Sequence, residues 1–207
     1  SENMLREARL KQKLFILDKI NLSPYSYICA DIEAIPLKEN SLDLVWSSST
    51  LQWCNELDLV FNQIKKVLKP GGLFIFSTFG PNTLNELREI TENLFNEKKT
   101  STFIDMNNID NLLKHSGFSN PVLEVENFTM TYKEVGELFM DIKSIGATNG
   151  NVSKKKGLSG KSFTKKIIEQ YETYRKNNLL PASYEVIYGH AWNIPTANSA
   201  FNSIRLN

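Results

Sequence analysis

The segment that most restricts the fold is Val67-Leu68-Lys69-Pro70-Gly71-Gly72-Leu73-Phe74-Ile75-Phe76. Proline followed by two glycines makes a tight turn, glycine supplying a positive φ, and the turn feeds a strand-sized apolar run. Upstream, Asn55–Leu68 places Val60, Phe61, Ile64, Val67 and Leu68 at helical spacing, with Asn55 as candidate cap. Before that helix, Leu42–Ser47 (LDLVWS) reads as a second strand. Strand, helix and strand in this order predict a right-handed crossover joining two parallel strands. The strands, Gly72–Phe79 above all, are mostly apolar runs rather than alternations, as expected where both faces of a sheet are covered. Trp46 is expected in that core.

The remaining chain fits the same α/β plan. Ser1–Lys13 reads as a helix capped by Ser1, with Glu2 in its first turn and Met4, Leu5 and Ala8 as an apolar stripe. Tyr27–Ala30 (YICA) is another strand candidate. Asn82–Asn96, Asn107–Ser116, Val135–Ile145 and Phe163–Arg175 read as helices. Pro121–Tyr132 alternates like an antiparallel strand, and Ala182–Trp192 is the last strand. The expectation is one domain over residues 1–207, with a mostly parallel sheet finished by an antiparallel pair.

Composition narrows the partners. Among 207 residues, Lys+Arg 24 against Asp+Glu 23 leaves a net charge of +1, so no global field draws the chain to nucleic acid or an anionic membrane. Its apolar runs are far shorter than a membrane span, and the N-terminal stretch does not read as a signal peptide. Cys29 and Cys54 lack metal-ligand spacing and read as buried thiols of a cytoplasmic protein, with no metal expected. The local exception to neutrality is Ser153–Lys166 (SKKKGLSGKSFTKK), with six lysines. It is either a solvated loop or a docking patch for an acidic partner.

Two segments carry candidate chemistry. Asp31 and Glu33 follow a strand's C-terminal end, where open α/β sheets bind ligands. Asp31 either accepts from an exocyclic amine while the Ile32 N–H donates to a ring nitrogen, which reads adenine, or simply forms a turn. Ser47-Ser48-Ser49-Thr50 sets four hydroxyls at the end of the next strand, either for a ligand or as a helix cap. Trp53 either walls a pocket or packs on the sheet.

With Lys69-Pro70-Gly71-Gly72, these blocks resemble class I S-adenosylmethionine-dependent methyltransferases of Rossmann-like fold. "DIEAIPL", "DLVWSSSTLQWCNELD", "LKPGG", "STFGPNTLNELR", "FIDMNNIDNLL" and "IKSIGATN" narrow the resemblance to the BioC-type malonyl-acyl-carrier-protein O-methyltransferases of biotin synthesis. It runs from Ser1 to about Trp192. In that family a Gly-rich loop after the first strand holds the methionine end of the cofactor, and an acid at the end of the second strand binds its ribose. No G-x-G-x-G segment occurs in the 207 residues, and Ser1–Leu5 resembles the stretch just after that acid. The resemblance thus implies an N-terminally truncated domain lacking its first strands, roughly 50 residues by the size of one α/β unit with a leading helix. From this follow the expectations of weak cofactor binding and of a Tyr27–Ala30 strand without a neighbour.

What the family implies here is methyl transfer from S-adenosyl-L-methionine to the free carboxylate of a malonyl group on acyl-carrier protein. The implied cofactor contacts are Asp31, Ile32, Ser47, Ser48 and Met4. The acceptor side covers about residues 80–192, with Arg88 or Lys143 for the carboxylate and Trp53, Tyr184 and Tyr188 as walls. No catalytic acid or base is assigned, since positioning suffices. His115 and His190 read as structural. Lys154, Lys155, Lys156, Lys161, Lys165 and Lys166 are the candidate docking residues for the acidic carrier protein. Other readings remain: a methyltransferase for another small acid or a quinone precursor, a relative of a respiratory complex I assembly factor, or an inactive fragment.

Overall fold

The structure is a computed structural model, and it describes residues 2–12, 26–95, 103–144 and 161–194. Helix α1 (Glu2–Gln12) is followed by strand β1 (Leu42–Ser48), a 3-10 turn (Leu51–Trp53), α2 (Leu57–Val67) and β2 (Leu68–Phe79). Next come α3 (Asn85–Phe95), α4 (Met106–His115), β3 (Ser119–Tyr132), α5 (Val135–Ser144), α6 (Lys161–Tyr171) and β4 (Leu180–Asn193). The Ser1 cap, Asn96, Ile145 and Lys154–Lys156 lie outside the described residues.

The four strands form one sheet in the order β1-β2-β4-β3. β1 and β2 are parallel, and β4 runs antiparallel to both β2 and β3. Three strands therefore share one direction and β4 alone reverses, as the sequence pattern leads one to expect. The Pro-Gly-Gly segment is taken into the start of β2, where the register slips between Leu42↔Leu68 and Leu44↔Leu73. Gly71 there adopts φ 80, open to glycine at little cost.

Alternation of side chains assigns each strand two faces. One buries Phe74, Phe76, Ile187 and Ala191 against Val60, Phe61 and Ile64 of α2 and Ile109 and Leu113 of α4. Phe61, Phe74 and Phe76 form an aromatic cluster there, with the Phe74 and Phe76 rings stacked 5.0 Å apart. Gly189 lies opposite Phe76, and a Cβ on it would sit 2.3 Å from that ring. α4 is capped by Asp105, which accepts from the Asn108 N–H, so the helix begins at Met106. The opposite face is covered at one end, by Leu138 of α5, Ile167 and Tyr171 of α6 and Ile90 of α3 packed on Leu180 and Ala182.

Several expectations are corrected. Tyr27–Ala30 is not a strand: it is exposed irregular chain that ends in an Asp31↔Ala34 bridge, since β-propensity without an adjoining strand gives no ladder. Trp46 is 75% exposed, because Val45 and Ser47 point into the core and the alternation turns Trp46 to the other face. Cys29 is exposed, as it belongs to the same irregular segment as Tyr27–Ala30. α2 begins at Leu57 with Glu56 in the cap position and no side-chain cap, so Asn55 does not cap it. Helix α6 begins at Lys161, two residues before the expected Phe163, so Lys161 as well as Lys165 and Lys166 belongs to a helix rather than to a loop.

Candidate active site

The hydroxyl run ends β1 in a sharp turn. Ser49 takes φ 48, and its N–H donates to the Ser77 carbonyl at 2.9 Å and lies 3.3 Å from Ser77 Oγ. Ser48 Oγ and Ser77 Oγ are 3.4 Å apart across the parallel pair. Thr50 Oγ1 donates to the Ser48 carbonyl at 3.1 Å, and Gln52 Nε2 donates to the Ser49 carbonyl at 2.8 Å. Gln52 Oε1 in turn accepts from Thr78 Oγ1 at 3.2 Å, tying the 3-10 turn to β2. Within this satisfied lattice Ser47 Oγ is the exception: it is buried and has no hydrogen-bond partner among the described residues. A buried unpaired hydroxyl costs about 1–3 kcal/mol and is a common mark of a ligand or water position.

Asp31 stands in a turn held from below. Its Oδ1 accepts the Glu33 N–H at 3.0 Å, Ala34 N–H donates to the Asp31 carbonyl at 3.1 Å, and Ile32 and Ile35 pack on the main core. Among the described residues the Ile32 N–H has no hydrogen-bond partner, and the Asp31 carboxylate is exposed. Burial pushes the Cys54 thiol up, with smaller contributions from Glu33 and Asp31. Ile32, Ile35 and Cys54 pack on the same core cluster as Leu51 of the 3-10 turn, which anchors the acidic turn to that side of the sheet.

Beyond β2 a second lattice fixes the loop to α3. Gly80 N–H donates to the Glu185 carbonyl at 2.9 Å, and Asn82 N–H to Glu185 Oε2 at 2.6 Å. Thr83 Oγ1 bonds both the carbonyl and the N–H of Glu185, and Glu86 accepts from the Ser183 N–H and hydroxyl. A Cβ on Gly80 would lie 2.7 Å from the Glu185 side chain, so only glycine lets the loop approach so closely.

Next to this loop, on the face opposite α2 and α4, is a trough of about 330 Å³. Phe79, Met130 and Val186 are among its apolar walls, and Tyr132, Tyr184 and Asp141 bring polar groups to it. Burial, then hydrogen bonding with Tyr184 and Asp141, pushes the Tyr132 phenol well above its ordinary value.

Of the other sequence candidates, Tyr184 lines this trough, and Tyr188 is exposed on the same face, paired with Ser77. Trp53 is half exposed at the end of the 3-10 turn. Arg88 is turned back on its own helix start, donating to the Pro81 carbonyl and Asn85 Oδ1. Lys143 is exposed on α5. Met4 is 72% exposed on α1 and belongs to neither core cluster, so the structure does not join it to the hydroxyl turn. His115 is exposed at the end of α4, and His190 lies opposite Ile75 within the sheet. Sequence reasoning missed Ser77, Tyr132, Asp141 and Glu185. Ser77 alone carried a local signal, a hydroxyl interrupting the apolar run of β2.

A methyltransferase-domain family matches residues 1–76. The backbone is similar to that of a Bacillus halodurans protein assigned as a methyltransferase, with a TM-score of 0.58 at 16% identity over 94% of this chain and 80% of the other. In sequence the chain is 47% identical over 183 residues to a malonyl-[acyl-carrier protein] O-methyltransferase of Methylovorus, a match covering 88% of this chain and 60% of that protein. It is 34% identical over 192 residues to malonyl-[acyl-carrier protein] O-methyltransferase 1 of Coxiella burnetii, covering 92% of this chain and 67% of the relative. The chain spans 54% to 60% of the length of the Methylovorus, Nitrosospira and Gallionella relatives. By these identities and by its α/β sheet, the chain belongs to the malonyl-[acyl-carrier protein] O-methyltransferase family.

Proposed function

We propose that the protein transfers a methyl group from S-adenosyl-L-methionine to the free carboxylate of a malonyl group carried on acyl-carrier protein, in the cytoplasm and in the service of biotin synthesis. The observation that carries this reading is the unpaired, buried Ser47 Oγ at the C-terminal end of β1, in a chain of this family. The residues suit the cofactor's adenosine end. Asp31 offers an exposed carboxylate to the adenine amine and the Ile32 N–H a donor to a ring nitrogen, while the end of β1 presents the Ser47 hydroxyl on the core side and the Ser48 hydroxyl on the open side. When bound, the cofactor supplies an electrophilic sulfonium methyl.

The acceptor needs little further activation, since a carboxylate is already an anionic nucleophile at neutral pH. Catalysis is then a matter of orientation and removal of water. Trp53, Tyr184 and Tyr188 wall the acceptor side in this reading. Arg88 is occupied in holding the Pro81–Asn85 turn and Lys143 stands two residues from Asp141 on α5, so neither is assigned to the malonyl carboxylate. The acidic carrier would dock on the lysines leading into α6, of which Lys165 and Lys166 are exposed.

The test is methyl transfer from radiolabelled S-adenosylmethionine by the protein as its gene encodes it, with malonyl-carrier protein, malonyl-CoA and small free acids offered in parallel. Malonyl thioesters should be methylated and the free acids spared. Methylation of another small acid in preference to the malonyl thioesters would overturn the assignment. Ser47→Ala should raise KM for the cofactor about tenfold, the equivalent of one hydrogen bond of about 1.4 kcal/mol.

A further inference from the structure

The trough beneath α5 has a charge pattern that decides which end of a substrate can enter it. Among the described residues lining it, the sole formal charge is the carboxylate of Asp141. Phe79 and Val186 face each other across β2 and β4, and Met130 continues the apolar wall along β3. At about 330 Å³ it falls in the range of small-molecule sites, roughly 300–1,000 Å³. A carboxylate placed here would lie against Asp141 with no lining cation to offset the repulsion. An uncharged ligand bearing amide N–H groups would instead find an acceptor in Asp141, hydroxyls in Tyr132 and Tyr184, and apolar surface for its aliphatic part.

The trough is also in register with the hydroxyl turn. Phe79 follows Ser77 by two residues on β2, so both project from the same face, about 7 Å apart. Ser48, Ser77 and Tyr188 make one cross-strand row, and Phe79 and Val186 the next. A ligand lying in the trough therefore has its far end directed along β2 at the Ser48–Ser77 pair.

We infer that this trough seats the neutral, amide-bearing thioester arm that joins an acyl group to its carrier, and that Asp141 orients the acceptor by accepting an amide N–H and repelling the free carboxylate. The inference rests on the function proposed above. Asp141 is a positioning and specificity residue in this scheme, since it touches the arm and not the reacting atoms. Orientation follows from charge alone: the arm enters the trough, and the malonyl carboxylate is left at the hydroxyl end where the methyl is delivered.

The experiment compares malonyl-CoA, which carries the full arm, with the methyl thioester of malonate, which carries none. Asp141→Asn keeps the size of the side chain and removes the charge; it is exposed, so folding is not at stake. The expected result is a loss of about fivefold to tenfold in kcat/KM on malonyl-CoA, expressed in KM, with the armless thioester unchanged. Met130→Trp, which narrows the trough, should do the same without touching a charge. Direct binding of D-pantetheine, followed by ligand-observed NMR, should be present in the parent protein and lost in Met130→Trp. Equal losses on armed and armless substrates, or no loss on either, would overturn the inference while leaving malonyl methylation standing. Absence of methylation of any malonyl thioester by the parent protein would strike at the functional reading itself, and pantetheine binding would then decide whether the trough keeps its assignment.

Discussion

Toward α2 and α4, the sheet presents Phe74, Phe76, Ile187 and Ala191, and all four are buried against helix side chains. From the opposite face, Leu44, Trp46, Ile75, Val122 and Trp192 project with substantial exposure, and burial resumes only near Leu180 and Ala182. The two faces share strands and register, so the contrast comes from their side chains and from what packs on them. Stability resides on the first face. The hydroxyl pair Ser48–Ser77 and the trough open on the second, where apolar surface is still accessible to a ligand.

Truncation should expose this asymmetry most sharply. Phe61 is fully buried within the aromatic cluster, so Phe61→Ala should cost about 3–5 kcal/mol of stability. Trp46→Ala removes a larger ring from the open face and should change stability by no more than about 0.5 kcal/mol. Urea denaturation of the two variants beside the parent protein makes the comparison. A loss of several kcal/mol for Trp46→Ala would break it, and would mean that the second face is covered in the folded protein.

The next effect is one of overpacking. Gly189 leaves no room for a Cβ against the Phe76 ring, whereas a Cβ on Gly136, in α5, would meet nothing within 4 Å. Gly189→Ala should therefore destabilise by about 1–3 kcal/mol, while Gly136→Ala, in a helix, should stabilise slightly. Thermal melts of the pair would show opposite signs. Equal shifts would mean that Phe76 can yield, and that the first face is less tightly packed than its burial indicates.

How far these features are legible in the sequence follows the same division. The spacing of Val60, Phe61, Ile64 and Val67 shows α2 and its buried stripe directly, because helix periodicity is local. The strand at Leu42–Ser48 is equally legible, but the coverage of its second face is not. An apolar run reads the same whether or not a helix lies over it, which is why Trp46 reads as core in sequence and stands exposed in the fold. At the site, the Ser47–Thr50 hydroxyls and the Asp31 turn announce themselves as short polar breaks after apolar runs. Asp141, Tyr132 and Glu185 do not, since each meets its partners across the fold: Glu185 reaches Asn82 from 103 residues away, and no local spacing encodes that.

The smallest predicted effect separates the faces by chemistry. Among the described residues the first cluster contains no tyrosine, whereas the second holds Tyr132, Tyr171, Tyr174 and Tyr184. Hydrogen bonding to Glu89, then burial, pushes the Tyr174 phenol up to about 12, and burial first, then the charge of Glu86, raises Tyr171 further. A raised phenol favours the protonated form in the folded state, so its contribution is fully present below the unfolded value of 10.0. Above that pH the unfolded chain ionises first, and stability is lost as pH rises toward 12 and beyond. The urea midpoint should fall between about pH 9 and pH 11, and Tyr171→Phe with Tyr174→Phe should flatten that slope, although the first change also removes the hydroxyl bond to the Pro181 carbonyl. An unchanged slope in the double variant would place the alkaline sensitivity in other groups, the raised phenols of Tyr132 and Tyr184 in the same cluster first among them. Hydrogen exchange would locate the loss independently, since amides of β4 near Leu180–Ser183 should lose protection at high pH before those near Ile187–Ala191, where the aromatic cluster holds the same strand without an ionisable group.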